Sequence, residues 1–219
     1  MIELKDITKR YQNNGHAVDV LTGVNVFIAG GECVCLRGPS GTGKTTLLNI
    51  MGGMLSPTTG EVRVQQTSLT RLPQHLLSGF RRKHIGFVFQ HYHLFEHLTV
   101  MENLLMPILP TGAVLKTEKN RLQRLLDRLQ IGHRTAFPVH CLSGGEQQRV
   151  AVARALVNDP GVILADEPFS NLDEGNVRFI TELFGELKQR GKTFVFTSTA
   201  LPATWETGLI DRDIRYGVE

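Results

Sequence analysis

The sequence predicts an α/β fold, and three observations carry this prediction. A glycine-rich run at residues 38–45 stands between a short apolar segment and the start of a helical pattern. A second apolar segment, residues 162–165, ends in two adjacent carboxylates. From His91 onward, roughly 50 residues lose the alternation of strands and take the spacing of amphipathic helices. The chain is therefore expected to combine a sheet with helices and to carry an inserted helical unit.

Length and composition are typical of one soluble domain. The 219 residues are 41% hydrophobic and 21% charged, and the net charge is +3. This charge is too small to argue for nucleic acid by itself, and it would agree as easily with work near an anionic membrane surface, so nothing follows from it. The motifs described below, rather than the charge, carry the expectation that the chain has no nucleic-acid partner. The sequence shows neither the roughly 18 consecutive apolar residues that span a bilayer nor a signal peptide, so cytoplasmic residence is expected. Of the three cysteines, Cys33 and Cys35 are expected to pack in the core.

The first part of the chain is predicted to form strands. Residues 2–8 and 18–28 alternate between apolar and polar side chains, with a loop around residues 12–15. Residues 61–64 form a further short strand. Tyr11 could be an exposed aromatic that stacks on a base, or a half-buried tyrosine at a strand end. The local sequence alone favours the second interpretation.

The glycine-rich run is predicted to be a phosphate-binding loop. It reads GPSGTGKT and fits the pattern G-x-x-x-x-G-K-[ST]. Its glycines let successive backbone N–H groups point at one anion, and the helix start adds about half a positive charge. Lys44 is expected to reach the β- and γ-phosphates, and the Thr45 hydroxyl to bind Mg²⁺. The predicted nucleotide-binding residues are Gly38, Pro39, Ser40, Gly41, Thr42, Gly43, Lys44, Thr45 and Thr46.

Helices dominate the middle of the chain. Residues 74–83 look helical, and Thr99 is expected to cap a helix that ends near Met106. Another helix presents one buried face, formed by Leu122, Leu125, Leu126 and Leu129. Three histidines lack a companion cysteine or carboxylate at ligand spacing and do not indicate a metal site: His91, His93 and His97.

The segment LSGGEQQRV is predicted to open a further helix. Ser143 is a good N-cap, and Glu146 three residues later completes a capping box. This capping does not explain Gly144 and Gly145, since glycines destabilise a first helical turn. They leave the backbone N–H groups accessible, and phosphate is the ligand that such a site suits.

Asp166 and Glu167 follow the apolar strand at residues 162–165. In nucleotide-binding α/β sheets, the carboxyl end of a buried strand lies beside the phosphate loop. Asp166 is therefore expected to bind Mg²⁺, directly or through water. Glu167 is expected to point elsewhere because strand side chains alternate, and it could orient and deprotonate an attacking water. Asp173 lies in the cap of the next helix, and residues 193–197 form another strand.

In this order and spacing, the motifs resemble those of the nucleotide-binding subunits of ABC (ATP-binding cassette) transporters over essentially the whole chain. The phosphate loop alone belongs to many families, whereas its combination with LSGGEQQRV, ILADEP and SNLD is highly specific. The segments GPSGTGKTTLLNIMGG, RRKHIGFVFQ, EHLTVMENL and ADEPFSNLD are most similar to the lipoprotein-releasing and macrolide-exporter group.

The resemblance implies the domain organisation. Residues 1–219 would form a single ABC ATPase domain. Its core, residues 1–90 and 150–219, would be a P-loop NTPase (RecA-like) fold with an antiparallel β subdomain. Residues 91–149 would be an inserted α-helical subdomain that carries LSGGEQQRV.

The resemblance also implies roles for individual residues. It places Tyr11 on the adenine of ATP, reversing the local interpretation, and Gln90 beside the nucleotide and its Mg²⁺. The implied Mg²⁺ residues are Thr45, Gln90 and Asp166, and Glu167 is the implied catalytic base. Two ATP molecules would lie between two head-to-tail chains, and the second chain would supply Ser143, Gly144, Gly145 and Asp173 in trans.

The implied function is ATP hydrolysis that powers or gates an integral membrane permease subunit. The chain would lie peripherally at the cytoplasmic face of the inner (cell) membrane, with a second ATP-binding subunit, expected to be an identical copy. The helical unit from His91 would dock the permease. The alternative is a soluble ABC ATPase that acts as an ATP-dependent switch in DNA repair or on ribosomes. Paired cassettes, a long coiled coil or zinc-binding cysteines would favour it, and the sequence contains none of these.

One residue departs from the family pattern. The family has a histidine directly after the strand at residues 193–197, and this chain has Ser198 there. Serine can hydrogen-bond a phosphate oxygen, but it is shorter and cannot become cationic. With Ser198 as the second catalytic residue beside Glu167, hydrolysis is expected to be slow while ATP binding is retained.

Overall fold

Two β-sheets and a set of α-helices make up the described part of the chain, as expected for an α/β fold. The computed structural model describes residues 1–13, 16–170, 172–200 and 208–216. Nine strands lie within these residues: β1 (Ile2–Asn13), β2 (His16–Ile28), β3 (Cys33–Arg37), β4 (Thr59–Val64), β5 (Thr67–Ser68), β6 (Ile85–Val88), β7 (Val162–Ala165), β8 (Thr193–Ser198) and β9 (Arg212–Arg215). The same residues contain six α-helices: α1 (Lys44–Met51), α2 (Gln74–His84), α3 (Val100–Leu105), α4 (Leu115–Arg128), α5 (Gly144–Leu156) and α6 (Glu174–Gln189).

The parallel sheet has the strand order β6-β7-β8-β3-β9. All four residues of β7 are buried, as expected for an apolar strand covered on both faces. The register pairs Ala165 of β7 with Phe196 of β8, and Leu36 of β3 with Thr197 of β8. The carboxyl ends of β3, β7 and β8 therefore lie side by side, which brings together segments far apart in the sequence.

The antiparallel sheet has the strand order β2-β1-β4-β5, and its buried side chains pack with those of α1. The predicted loop at residues 12–15 is wrong in its bounds, since β1 continues to Asn13 and β2 begins at His16. Residues 14 and 15 lie outside the described residues. Tyr11 consequently lies within β1, opposite Val18, rather than at its end.

The helical unit begins with α3, whose predicted cap is confirmed. The Glu102 N–H donates to Thr99 Oγ1 at 3.2 Å, and the Thr99 N–H donates to Glu102 Oε2 at 2.8 Å. Leu122 and Leu126 of α4 are fully buried in the same apolar cluster as residues of α3, α5 and β7. Because α5 runs without a break past residue 150, this unit and the parallel sheet share one core.

Cys33 and Cys35 are buried, as predicted, and burial raises the pKa of both thiols to about 12. Both thiols are therefore protonated and unreactive at neutral pH. The described residues contain no group of three or more histidine, cysteine, aspartate or glutamate side chains placed to hold a metal ion. Among the helices within those residues, none is long and apolar enough to cross a membrane.

Candidate active site

The predicted phosphate loop connects β3 to α1 with two left-handed glycines. Gly41 has φ 82° and Gly43, the N-cap of α1, has φ 92°, conformations that other residues rarely adopt. In the described part of the chain, no side chain caps α1, so its first N–H groups can bind a ligand. The outer residues of the loop are open to solvent: Pro39, Ser40, Gly41 and Thr45.

Lys44 is held against the loop that precedes it. Only 5% of the residue is exposed, and its Nζ donates to the carbonyl oxygens of Gly38 and Pro39, both at 2.7 Å. An ammonium group has three N–H donors, so these two bonds leave one for a phosphate oxygen. The Thr42 hydroxyl donates to the Pro39 carbonyl at 2.9 Å and stiffens the same turn.

Thr45 and Asp166 are in direct contact although 121 residues separate them in the sequence. The Thr45 hydroxyl donates to Asp166 Oδ1 at 3.1 Å, and Asp166 is 7% exposed. This follows from the sheet order, since α1 begins after β3 and Asp166 follows β7. A hydroxyl oxygen beside a carboxylate is a donor set that fits Mg²⁺.

Thr197 lies between the two carboxylate residues, and the sequence did not indicate it. Its hydroxyl donates to Asp166 Oδ1 at 2.5 Å and accepts the Glu167 N–H at 2.9 Å. The residue is fully buried. Its place in the apolar segment TFVFT is a weak signal, because threonine is common in strands for other reasons.

Glu167 leaves β7 in an unusual backbone conformation. Its φ is 44°, in the left-handed region that costs a non-glycine residue about 1–2 kcal/mol. The predicted reason for its direction is therefore wrong: β7 ends at Ala165, and the turn, rather than strand alternation, aims the side chain. Gln90 Nε2 donates to Glu167 Oε2 at 3.2 Å, so these two predicted site residues are brought together.

A cavity of about 510 Å³ connects Tyr11 with Thr45, Gln90 and Asp166. Tyr11 is 41% exposed, and Lys9 Nζ lies 5.1 Å from the centre of its ring. The exposed ring therefore lies at one side of the cavity, and the oxygen atoms of Thr45, Gln90 and Asp166 line another part of it. Sequence reasoning did not assign the other residues that line it: Asn49, Met54, Leu55, Phe89, His91 and His93.

The loop after Gln90 is strained and is held from α5. Tyr92 and His93 have φ values of 59° and 48°. Arg154 donates to the carbonyl of Tyr92 at 2.6 Å and also to that of His93. Burial lowers the pKa of Arg154, but a guanidinium stays charged at neutral pH. This charged group therefore joins α5 to the loop that follows Gln90.

The LSGGEQQRV segment opens α5 with the predicted capping box. The Glu146 N–H donates to Ser143 Oγ at 3.3 Å, and the Ser143 N–H donates to Glu146 Oε2 at 2.8 Å. Asn176 connects this segment to Asp173, because its amide lies against Gly145 and donates to Asp173 Oδ2 at 2.6 Å. No hydrogen bond between described residues joins this group to the phosphate loop of the same chain.

Ser198 ends β8 next to the start of the phosphate loop. Its carbonyl accepts the Gly38 N–H at 3.2 Å. Its hydroxyl donates to the carbonyl of Ala200, two residues further along the chain. The backbone of Ser198 thus anchors the loop, while its hydroxyl is engaged within its own turn.

Comparison with known proteins assigns these features to one family. The model of the ABC transporter family matches residues 21–170. A lipoprotein-releasing system ATP-binding protein (LolD) of Bacteroides fragilis is 45% identical over 199 residues, which are 90% of either chain. A macrolide export ATP-binding/permease protein (MacB) of Shigella flexneri is 41% identical over 198 residues, which are 90% of this chain and 31% of that protein.

Solved structures extend the similarity to the whole fold. A dimeric bacterial ABC transporter cassette superposes with a TM-score of 0.91 at 37% identity, covering 99% of this chain and 94% of that chain. A dimeric ATP-binding cassette in a post-hydrolysis state, bound to ADP and Pi, gives a TM-score of 0.88 at 35% identity with the same coverage. The predicted α/β fold with its antiparallel sheet is thereby confirmed.

Proposed function

The chain belongs to the ABC transporter family and is an ATPase, and from this premise we propose that it powers or gates an integral membrane permease of the lipoprotein-releasing or macrolide-exporting type. One observation supports the assignment of the catalytic site. The Thr45 hydroxyl lies 3.1 Å from the Asp166 carboxylate, beside the phosphate loop and next to Glu167. The 45% identity with a lipoprotein-releasing ATP-binding protein supports the transporter type.

ATP binds along the phosphate loop in this proposal. The N–H groups at the start of α1 and the ammonium of Lys44 hold the β- and γ-phosphates. The accessible ring of Tyr11 stacks on the adenine, and such stacking typically contributes about 1–3 kcal/mol. The cavity that connects Tyr11 with Thr45 supports this placement, since it joins the base end to the phosphate end.

Mg²⁺ would be held by the Thr45 hydroxyl, the Asp166 carboxylate and the Gln90 side chain, all of which line that cavity. When bound, the ion neutralises the charge that develops on the phosphates during transfer. The oxygens of these residues fit a hard cation, because hydroxyl, carboxylate and amide oxygens are its preferred ligands.

Glu167 is the proposed general base. Gln90 contacts Oε2 of its carboxylate at 3.2 Å, and the other carboxylate oxygen can take the proton of the attacking water. Ser198 offers a hydroxyl, in place of an imidazolium, to the phosphate oxygens. Because this hydroxyl donates to the Ala200 carbonyl, it must break that hydrogen bond before it can donate to a substrate.

Two copies of the chain are proposed to enclose the nucleotides. The partner would contribute Ser143, Gly144, Gly145 and Asp173 to each site. In support, the two superposable cassettes are both dimeric. The group formed by Ser143, Gly145 and Asp173 also makes no described hydrogen bond to the phosphate loop of its own chain, which leaves it available to the loop of a second chain.

The helical unit is the proposed docking surface for the permease, which places the chain peripherally at the cytoplasmic face of the membrane. A groove of about 420 Å³ lies between this unit and the parallel sheet, with apolar walls from Phe89, Phe95, Pro107 and Pro110. Arg154 also lines this groove and bonds the loop after Gln90. Arg154 thus links the groove to the loop that directly follows Gln90.

The experiment that tests the proposal is affinity capture of the tagged chain from detergent-solubilised membranes, followed by ATPase measurement on the complex. We expect a co-eluting protein with transmembrane helices that changes the rate of ATP hydrolysis. Capture of DNA-bound or ribosomal proteins, with no integral membrane protein, would favour the soluble alternative instead. A chain with Lys44→Ala serves as the control, because its complex should form but hydrolyse ATP much more slowly than that of the parent.

A further inference from the structure

Thr197 lies on β8, which pairs with both of the strands that lead into the candidate site. Strand β8 lies between β7, which ends before the carboxylates, and β3, which leads into the phosphate loop. In this register Thr197 is opposite Leu36 of β3 and one step beyond the Phe196–Ala165 pair with β7. Its side chain therefore meets the carboxylates at the edge where the nucleotide would bind.

The hydroxyl of Thr197 makes two hydrogen bonds, one as a donor and one as an acceptor. It donates its one proton to Asp166 Oδ1 at 2.5 Å and accepts the backbone N–H of Glu167 at 2.9 Å. A hydroxyl can do both at once, whereas a methyl group can do neither. Since the Thr45 hydroxyl also donates to Asp166 Oδ1, the two contacts on this oxygen fix the orientation of the carboxylate.

The Glu167 backbone needs such a bond. Its φ of 44° is a left-handed conformation in a residue that is not glycine, and the following residue is Pro168. Strained backbones of this type persist only where surrounding contacts hold them. The Thr197 hydroxyl holds this one at its N–H, and the Gln90 amide lies 3.2 Å from the carboxylate at the other end of the residue.

We propose that Thr197 is a positioning residue for ATP hydrolysis, whose hydroxyl sets Asp166 and Glu167 in one common geometry. This inference rests on the proposed roles of Asp166 and Glu167 in Mg²⁺ binding and proton transfer. Thr197 does not touch the nucleotide in this account. Its effect is indirect, because its one hydroxyl oxygen bonds both the Asp166 carboxylate and the backbone N–H of Glu167.

The test replaces Thr197 with valine, which keeps the shape and removes the hydroxyl. Misplacement of catalytic groups by about 1 Å can cost 10²-fold in rate, so we expect the kcat of T197V to fall about 100-fold. The Mg²⁺ concentration for half-maximal activity should rise, because the Asp166 carboxylate loses one of the two contacts that orient it. The dissociation constant for ATP without Mg²⁺ should stay near that of the parent, because Lys44 and the loop are unaffected.

Thr193 on the same strand provides a matched control. It is also buried, and its hydroxyl oxygen accepts the Gly31 N–H at 2.9 Å, away from the carboxylates. T193V should lose stability as T197V does but keep the parent kcat and Mg²⁺ dependence. T197S retains the hydroxyl and should recover most of the rate. If T197V does not fold, T197A and T193A give the same comparison.

The outcomes separate this inference from the proposed function. Equal kcat and Mg²⁺ dependence in T197V and T193V would overturn the role of Thr197. Glu167→Gln measured alongside tests the base by itself. If that variant turns over ATP at the parent rate, Glu167 is not the base. The proposal that Thr197 positions Glu167 for catalysis is then wrong as well. A low rate in both Glu167→Gln and T197V, with a normal rate in T193V, is the result we expect.

Discussion

The side-chain amide of Asn176 lies against the backbone of Gly145, so closely that a Cβ atom on Gly145 would come 2.4 Å from Asn176 Nδ2. Asn176 is fixed there, because its Nδ2 donates to Asp173 and its Oδ1 accepts from Arg149 at 3.0 and 3.1 Å. Gly145 is therefore required by packing within one chain, in addition to its proposed contact with a phosphate. The two neighbouring glycines of α5 can be distinguished on this basis.

We expect Gly145→Ala to destabilise the isolated, nucleotide-free chain by about 1–3 kcal/mol, because the added methyl group overpacks the contact with Asn176. Gly144→Ala is the matched control. Its Cβ would lie 3.6 Å from the Tyr92 hydroxyl, an ordinary contact, and alanine favours a helix over glycine by up to about 1 kcal/mol. Thermal unfolding of the two variants without nucleotide measures this difference, and equal midpoints would contradict it.

Lys44→Ala should weaken ATP binding by about 10- to 100-fold, since a charge-assisted hydrogen bond contributes roughly 1.5–3 kcal/mol. The fold should survive, because Lys44 bonds only the loop carbonyls of Gly38 and Pro39 within the described residues. Titration calorimetry with ATP measures the effect. Lys83→Ala removes the same charge from an exposed position on α2 and should bind ATP like the parent. Equal affinity in both variants would exclude the phosphate-loop assignment.

Ser198→His should raise the turnover of the isolated chain. A donor aimed at the developing phosphate charge typically contributes about 10²- to 10³-fold in rate, and the present hydroxyl is engaged with Ala200. The dissociation constant for ATP should stay near that of the parent, because the added imidazole stabilises the transition state rather than bound ATP. Steady-state phosphate release from the parent and the variant provides the measurement. If the parent already turns over at tens per second, the histidine is dispensable in this site.

Local rules predicted the parts of the site that depend on a few consecutive residues. The glycine-rich turn before α1 and the caps at Thr99 and Ser143 are of this type, because each is complete within a short stretch of chain. The bounds of β1 were missed, since its pairing with β2 extends beyond the alternating apolar pattern.

Contacts between distant segments could not be predicted in the same way. Arg154 reaches the Tyr92 carbonyl across 62 residues, and Thr197 reaches Asp166 across 31. The residues next to Arg154 and Thr197 in the sequence do not indicate that either side chain makes such a contact. Only the strand order and the path of α5 bring them together, and both are properties of the assembled fold.

Phe95→Ala should reduce recruitment of the chain to membranes that contain its permease. Phe95 is 51% exposed on the wall of the proposed docking groove, and truncation of a buried interface aromatic commonly costs 2 kcal/mol or more, about 30-fold in affinity. Phe27→Ala is the control, because Phe27 is 52% exposed on β2, outside that groove. Sedimentation with permease-containing vesicles measures recruitment. Equal loss in both variants, or none in either, would place the docking surface elsewhere.

The most direct test of the central claim is the association state of the Glu167→Gln variant with ATP and Mg²⁺, measured by sedimentation velocity. The amide keeps the shape of Glu167 but cannot take a proton, so ATP should bind without being hydrolysed. We predict a stable dimer with ATP and a monomer with ADP, and a monomer under both conditions when Lys44→Ala is added. A variant that hydrolyses ATP at the parent rate, or stays monomeric with ATP at high protein concentration, would contradict the account of two chains that enclose ATP and use Glu167 as the base.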